Sequence, residues 1–89
     1  MKSRTTKKFI KLLNNLPKVI QKLAKEKYDL FKENPHHPVL NFKRLQKDDE
    51  LCSIRFANNW RALGYIKDDI IYWFWIGPHE EYNNLINQL

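Results

Sequence analysis

The chain has 89 residues, 16 Lys+Arg against 10 Asp+Glu for a formal charge of +6, and 43% hydrophobic and 13% aromatic residues. This apolar and aromatic content excludes a disordered polyelectrolyte and leads us to expect one small, basic globular domain. A lone cysteine, Cys52, excludes an internal disulfide and a cysteine-based zinc site, so the expected compartment is cytoplasmic and the expected cofactor and metal content is none.

From Thr6 to Leu16, Phe9, Ile10, Leu12, Leu13 and Leu16 recur at helical spacing behind an N-cap at Thr5 or Thr6. The basic start, Met1 to Lys8, precedes an apolar stretch broken by Lys11, Asn14 and Asn15, so neither a signal peptide nor a membrane span is expected. Met1 to Thr6 is too short and polar to be called a strand. Asn14-Asn15 marks a turn, and Pro17 fits the first turn of a second helix whose stripe runs through Val19, Ile20, Leu23, Ala24, Leu30 and Phe31. Pro35 ends that helix near Asn34. The two helices make an N-terminal hairpin. Residues 1–30 carry nine basic and two acidic side chains, a net +7, while the remaining 59 carry seven basic and eight acidic ones. Such a face either steers a polyanion or an acidic protein, or is simply solvated for solubility.

After His36-His37-Pro38, the apolar period shortens toward two, and strands are expected at Asn41–Gln46, Leu51–Phe56, Trp60–Ile66 and Asp69–Ile76. The connections Lys47–Glu50, Ala57–Asn59 and Lys67–Asp69 are turn-like, which makes the strands an antiparallel meander. Ile70–Ile76 is apolar on both faces and belongs inside the sheet; Gly77-Pro78 is expected to stop it, and Glu80–Leu89 to form a short closing helix. The expected fold is α+β: a two-helix hairpin on one face of a four-stranded antiparallel sheet, the other face left free.

Strand parity turns Cys52, Ile54 and Phe56 toward the helices and Ser53 and Arg55 away. With a three-residue Ala57–Asn59 loop, Phe56 faces Trp60 and Arg55 faces Arg61. Like charges directly opposite disfavour folding by about 0.2–1 kcal/mol, so the arginine pair points to an anionic ligand. The alternative is a structural Arg61 paired with Glu80 or Glu81. Cys52 reads as a small buried apolar residue, and His36-His37 as a loop. Trp73 and Trp75, with Tyr72 and Phe74, read mostly as core.

The segments Ser53-Ile54-Arg55-Phe56, Asn59-Trp60-Arg61-Ala62-Leu63-Gly64-Tyr65 and Tyr72 through Tyr82, following helices joined at Leu16-Pro17, resemble the RelE/ParE toxin superfamily of bacterial toxin-antitoxin systems. That family commonly opens with a strand before the first helix. The resemblance implies a toxin held inactive by a cognate antitoxin. Its ribonuclease members cut mRNA, usually on the ribosome, and its ParE-like members poison DNA gyrase. By the same resemblance, Arg61 would bind the scissile phosphate, Arg55 would stabilise its charge, and His79 and Tyr82 would complete the site, while Ser53 stands where the ribonucleases often have a further lysine.

The chemistry is consistent with that implication. Attack by an RNA 2′-hydroxyl needs a base, an acid for the leaving 5′-oxygen, and cations on the phosphorane. An imidazole suits proton transfer near neutrality, two guanidiniums suit phosphate oxygens, and Tyr82, Trp60 or Trp73 could stack on a base. The leading expectation is a metal-independent endoribonuclease (an mRNA interferase). The alternative is a non-nucleolytic gyrase poison or an inactive antitoxin-binding module.

Overall fold

A computed structural model describes residues 2–89. In chain order, the elements are β1 (Lys2–Thr5), α1 (Lys7–Asn14), α2 (Lys18–Glu33), a 3₁₀ turn (Pro38–Leu40), β2 (Lys43–Arg44), β3 (Leu51–Ala57), β4 (Trp60–Lys67), β5 (Ile70–Pro78) and α3 (His79–Asn87). Among the described residues the sheet has five strands in the order β1-β5-β4-β3-β2. It is mixed, since β1 runs parallel to β5 with Lys2 opposite Ile70 and Thr5 opposite Trp73.

β1 corrects the four-stranded expectation. Its side chains are mostly exposed and carry no apolar pattern, so the strand exists because the outer edge of β5 offers backbone groups that need partners. Ser3 adds one inward anchor: its hydroxyl accepts from Trp73 Nε1 at 2.8 Å and lies 2.9 Å from the Tyr28 hydroxyl of α2. β5 is thereby interior, as its two-sided apolar sequence requires. Thr6 caps α1, its Oγ1 accepting from Phe9 N at 3.2 Å and donating to Trp73 O at 2.9 Å, so one side chain starts the helix and ties it to the sheet. α1 stops at Asn14. Pro17 is the N-cap of α2 rather than part of its first turn, and its carbonyl accepts from Ile20 N and Gln21 N.

Three further expectations shift. β2 contracts from Asn41–Gln46 to two residues, because Pro38–Leu40 is wound into the 3₁₀ turn and Asn41 adopts a left-handed conformation, φ 47°. Gly77-Pro78 makes up the last two residues of β5 rather than lying beyond it; Gly77 lies opposite Arg61 and Pro78 opposite Trp60. A Cβ at Gly77 would come within 2.6 Å of the Trp75 ring, which is why that position is bare. The β3–β4 hairpin turns at Asn58-Asn59, with Ala57 opposite Trp60 and the register shifting at Phe56. Arg55 opposite Arg61 is as read from the sequence, but Phe56 does not face Trp60.

The helices bury Phe9, Ala24 and Phe31 against Cys52, Ile54, Phe56, Ile71 and Trp73. Phe31 packs edge-on against Trp73 at 5.4 Å and against Phe42 at 5.5 Å, the favoured geometry for aromatic quadrupoles. The opposite face is not free: α3 lays Tyr82, Leu85 and Ile86 over Leu45, Leu63 and Trp75. A second register shift, between Leu63 and Gly64, pairs Leu63 with Trp75 but Gly64 with Trp73. Phe74 is the extra residue, and the two tryptophans end up in cores on opposite sides of the sheet.

Cys52 is fully buried, and burial pushes its thiol pKa up to about 12, with hydrogen bonding at Gly64 and the Arg44 charge opposing. A thiol raised in this direction and shut off from solvent is not available as thiolate at pH 8. Iodoacetamide at that pH should therefore leave native protein unmodified for hours and label it promptly in denaturant, read by mass spectrometry; rapid native labelling would contradict this core.

Candidate anion-binding site

Arg55 and Arg61 sit directly opposite one another on β3 and β4. Parity places both on the face covered further along by α3. Together with His79, Tyr82, Asn83 and Ile86 of α3, and Asn41, Lys43 and Ser53, they line a cavity of about 170 Å³. All four residues singled out in the sequence thus meet in one place. Among the described residues, no Asp or Glu lines this cavity.

Each group is held differently. Arg61 Nη1 donates to the carbonyls of Ala57 at 3.1 Å, Asn58 at 3.0 Å and Trp60 at 3.0 Å, so two of the five guanidinium N–H donors are shared among the hairpin carbonyls and those on Nε and Nη2 remain. It does not pair with Glu80 or Glu81; among the described residues the ion pair is Lys32–Asp29. Burial, and after it the Arg55 charge, lowers the Arg61 pKa from its usual value. Arginine stays charged even so, and a guanidinium that has lost water beside a like charge binds an anion favourably. His79 begins α3, its N–H donating to Asn59 O at 2.7 Å. The imidazole is therefore referenced to the same turn as Arg61, and the positive end of the α3 dipole faces the same region.

Tyr82 is 5% exposed, and its hydroxyl donates to Ser53 Oγ at 3.2 Å. Its ring lies 6.3 Å from the His79 ring at 21°, so it backs the imidazole rather than presenting a free face. Trp73, 1% exposed beneath the helices, cannot stack on a base, a correction to the sequence reading; Trp60 is half-buried and packs beside Phe56 on the helical-hairpin side, not among the residues that line the cavity.

Lys43 is the residue that sequence reasoning missed. It stands opposite Ser53 across the β2–β3 ladder and lines the cavity. A cation thus stands beside Ser53 from the neighbouring strand. A two-residue strand has no period, so only a register argument from the Lys47–Glu50 turn could have found it. Asn41 and Asn83 were missed for a similar reason, since neither belongs to a patterned surface.

The two arginines should respond oppositely to truncation. Arg55→Ala removes a like-charge contact and is expected to raise stability by about 0.2–1 kcal/mol at low salt, an effect that salt screens away. Arg61→Ala removes the donor that the Ala57, Asn58 and Trp60 carbonyls share and is expected to lower stability by about 1–2 kcal/mol. Urea unfolding at two salt concentrations checks both signs.

A family model for the ParE-like toxin domain matches residues 17–84, most of the chain. No curated protein matches the sequence. Solved structures share the fold at low identity. A chain of the RelB–RelE antitoxin–toxin complex from Methanococcus jannaschii superposes with a TM-score of 0.73 at 18% identity, covering 92% of this chain and 96% of that one. YafQ from E. coli gives 0.68 at 18% identity over 90% and 94%, and the isolated E. coli RelE toxin 0.66 at 14% over 98% and 96%. With its helical hairpin, five-stranded sheet and covering α3, the chain belongs to the ParE-like toxin domain family, within the RelE/ParE superfamily of toxins.

Proposed function

We propose that this chain is the toxin of a type II toxin-antitoxin pair and that it acts as an endoribonuclease on mRNA, at the ribosome, to stop translation. The observation that carries this reading is the acid-free cavity in which Lys43, Arg55, Arg61 and the His79 imidazole converge. Cations without carboxylates suit a phosphate whose charge increases in the transition state. Arg55, Arg61 and Lys43 supply there the charge that a metal supplies in other nucleases, so the proposed chemistry is metal-independent. The 2′-oxygen attacks phosphorus, His79 takes its proton, and the same imidazole returns the proton to the departing 5′-oxygen as the P–O bond breaks, leaving a cyclic phosphate and a free hydroxyl. Tyr82, fixed by Ser53, keeps the imidazole in place.

The proposed partner is an antitoxin with an acidic, amphipathic segment, and the proposed compartment is the cytoplasm. Complexes with antitoxins are known for the structural relatives from Methanococcus jannaschii and Mycobacterium tuberculosis. On this chain, α1 and α2 enclose an apolar groove of about 520 Å³ lined by Phe9, Ile10, Leu13, Ala24 and Tyr28, with Lys22 and Lys25 at its rim. Among the described residues, no helix is long and apolar enough to cross a membrane.

Induced expression of wild type should arrest growth and create new mRNA 5′ ends. His79→Ala, which keeps the fold, should lower cleavage by about 10²–10⁴. Primer extension reads the ends, and circular dichroism checks the fold. Arrest without new ends, unchanged in the variant, would favour gyrase poisoning instead.

A further inference from the structure

α3 presents more than an imidazole to the cavity. His79, Asn83 and Ile86 stand at positions i, i+4 and i+7 of the helix, which places them on one face, and all three line the cavity. Tyr82 is turned beneath them, its hydroxyl on Ser53. Asn83 is half-buried, and among the described residues its side-chain amide has no hydrogen-bond partner. That amide has no use in the chemistry already assigned. It carries no charge for a phosphate and does not titrate, so neither the phosphorane nor the proton transfers call for it.

What an amide offers is a paired acceptor and donor, its carbonyl and its NH₂, and this pair suits the edge of a base. Adenine matches it with N6 donating and N7 accepting; guanine offers two acceptors on that edge, and a pyrimidine has no N7. The place of the amide agrees with this use. Asn83 stands one helical turn, about 5.4 Å along the axis, from His79. In the cleavage proposed above, the imidazole meets a 2′-hydroxyl, and the base hangs from the neighbouring carbon of that same sugar. The amide is therefore placed for this base, the one immediately 5′ of the cut. Beyond it, Ile86 also lines an adjoining depression of about 340 Å³ with Leu45 and Tyr82, which supplies apolar surface for the ring.

We infer that Asn83 reads the base immediately 5′ of the scissile phosphate and selects adenine, with Ile86 beside the ring. This rests on the ribonuclease reading, to which it adds the sequence at which the chain cuts. Asn83 meets the substrate away from the reacting atoms, so it decides where cleavage falls and takes no part in the proton transfers.

The test expresses the full chain, maps mRNA 5′ ends across the transcriptome and records the base before each cut against the base composition of the messages. In wild type, cuts after adenine should exceed those after any other base about tenfold. Asn83→Leu, similar in size but without hydrogen-bonding groups, should bring that ratio to about one. Asn83→Lys, which presents only donors, should turn the preference to guanine, whose O6 and N7 both accept. Circular dichroism of the purified variants checks the fold. An adenine preference that persists in both folded variants overturns the inference and leaves the ribonuclease reading standing, as does wild-type cleavage without a preference for adenine. Loss of cleavage after every base in both folded variants overturns it too, since a residue that only reads a base is not required for cuts beside the others. A wild type that arrests growth without new ends overturns the ribonuclease reading together with this one.

Discussion

The carbonyl oxygens of the β3–β4 turn are the constraint on which the site depends. Ala57 and Asn58 accept from the Arg61 guanidinium, and Asn59 accepts from the first N–H of α3. One turn of backbone thus fixes a cation on the sheet and an imidazole on a helix in a common frame. Neither would hold its place unaided: an arginine has many rotamers, and α3 has only nine residues and no side-chain N-cap. The bulge at Phe56 belongs to the same constraint, because it lets a two-residue turn leave Arg55 opposite Arg61.

Covering the outer face with α3 determines where chemistry can occur. The helix buries Tyr82 over Trp75 and Leu63, so the middle of that face is core. What remains accessible is the margin at the start of α3, where His79 meets the arginines. The bulge at Phe74 prepares this arrangement by delivering Trp75 to the outer side while Trp73 stays beneath the helices. Sheet irregularities here redirect single large side chains, and the site lies between two of them.

Much of this was legible in the sequence, and what was not has physical causes. Thr6 as a cap, the end of α2 before Pro35 and the opposed arginines each followed from local chemistry: a hydroxyl before an apolar stripe, a steric block, a short connection. β1 was not legible because its pairing is a demand of β5's edge, and Lys2–Thr5 carries no apolar pattern of its own. β2 was too short to show a period, which concealed Lys43. The bulges were invisible because alternation in Tyr72-Trp73-Phe74-Trp75 reads the same with or without an extra residue, and only the packing of both tryptophans decides. The family resemblance singled out Arg55, Arg61, His79 and Tyr82 by order and spacing; it did not reveal that Tyr82 is buried against Ser53.

The electrostatics of the site bear on stability as well as on chemistry. Folding brings Arg55 against Arg61 and Lys43 close by, and burial strips water from Arg61, with no Asp or Glu among the described lining residues to compensate. Each of these contacts opposes folding, by an amount that is modest on a partly exposed surface. An anion that occupies the cavity reverses the sign of all of them at once. Because such an anion binds only where the native hairpin and α3 have brought the cations together, its occupancy stabilises the fold by RT ln(1 + [L]/Kd). The arrangement is thus a small folding liability that a bound anion would turn into a favourable term. The turn carbonyls make this possible, since they hold Arg61 in place through contacts that do not neutralise its charge.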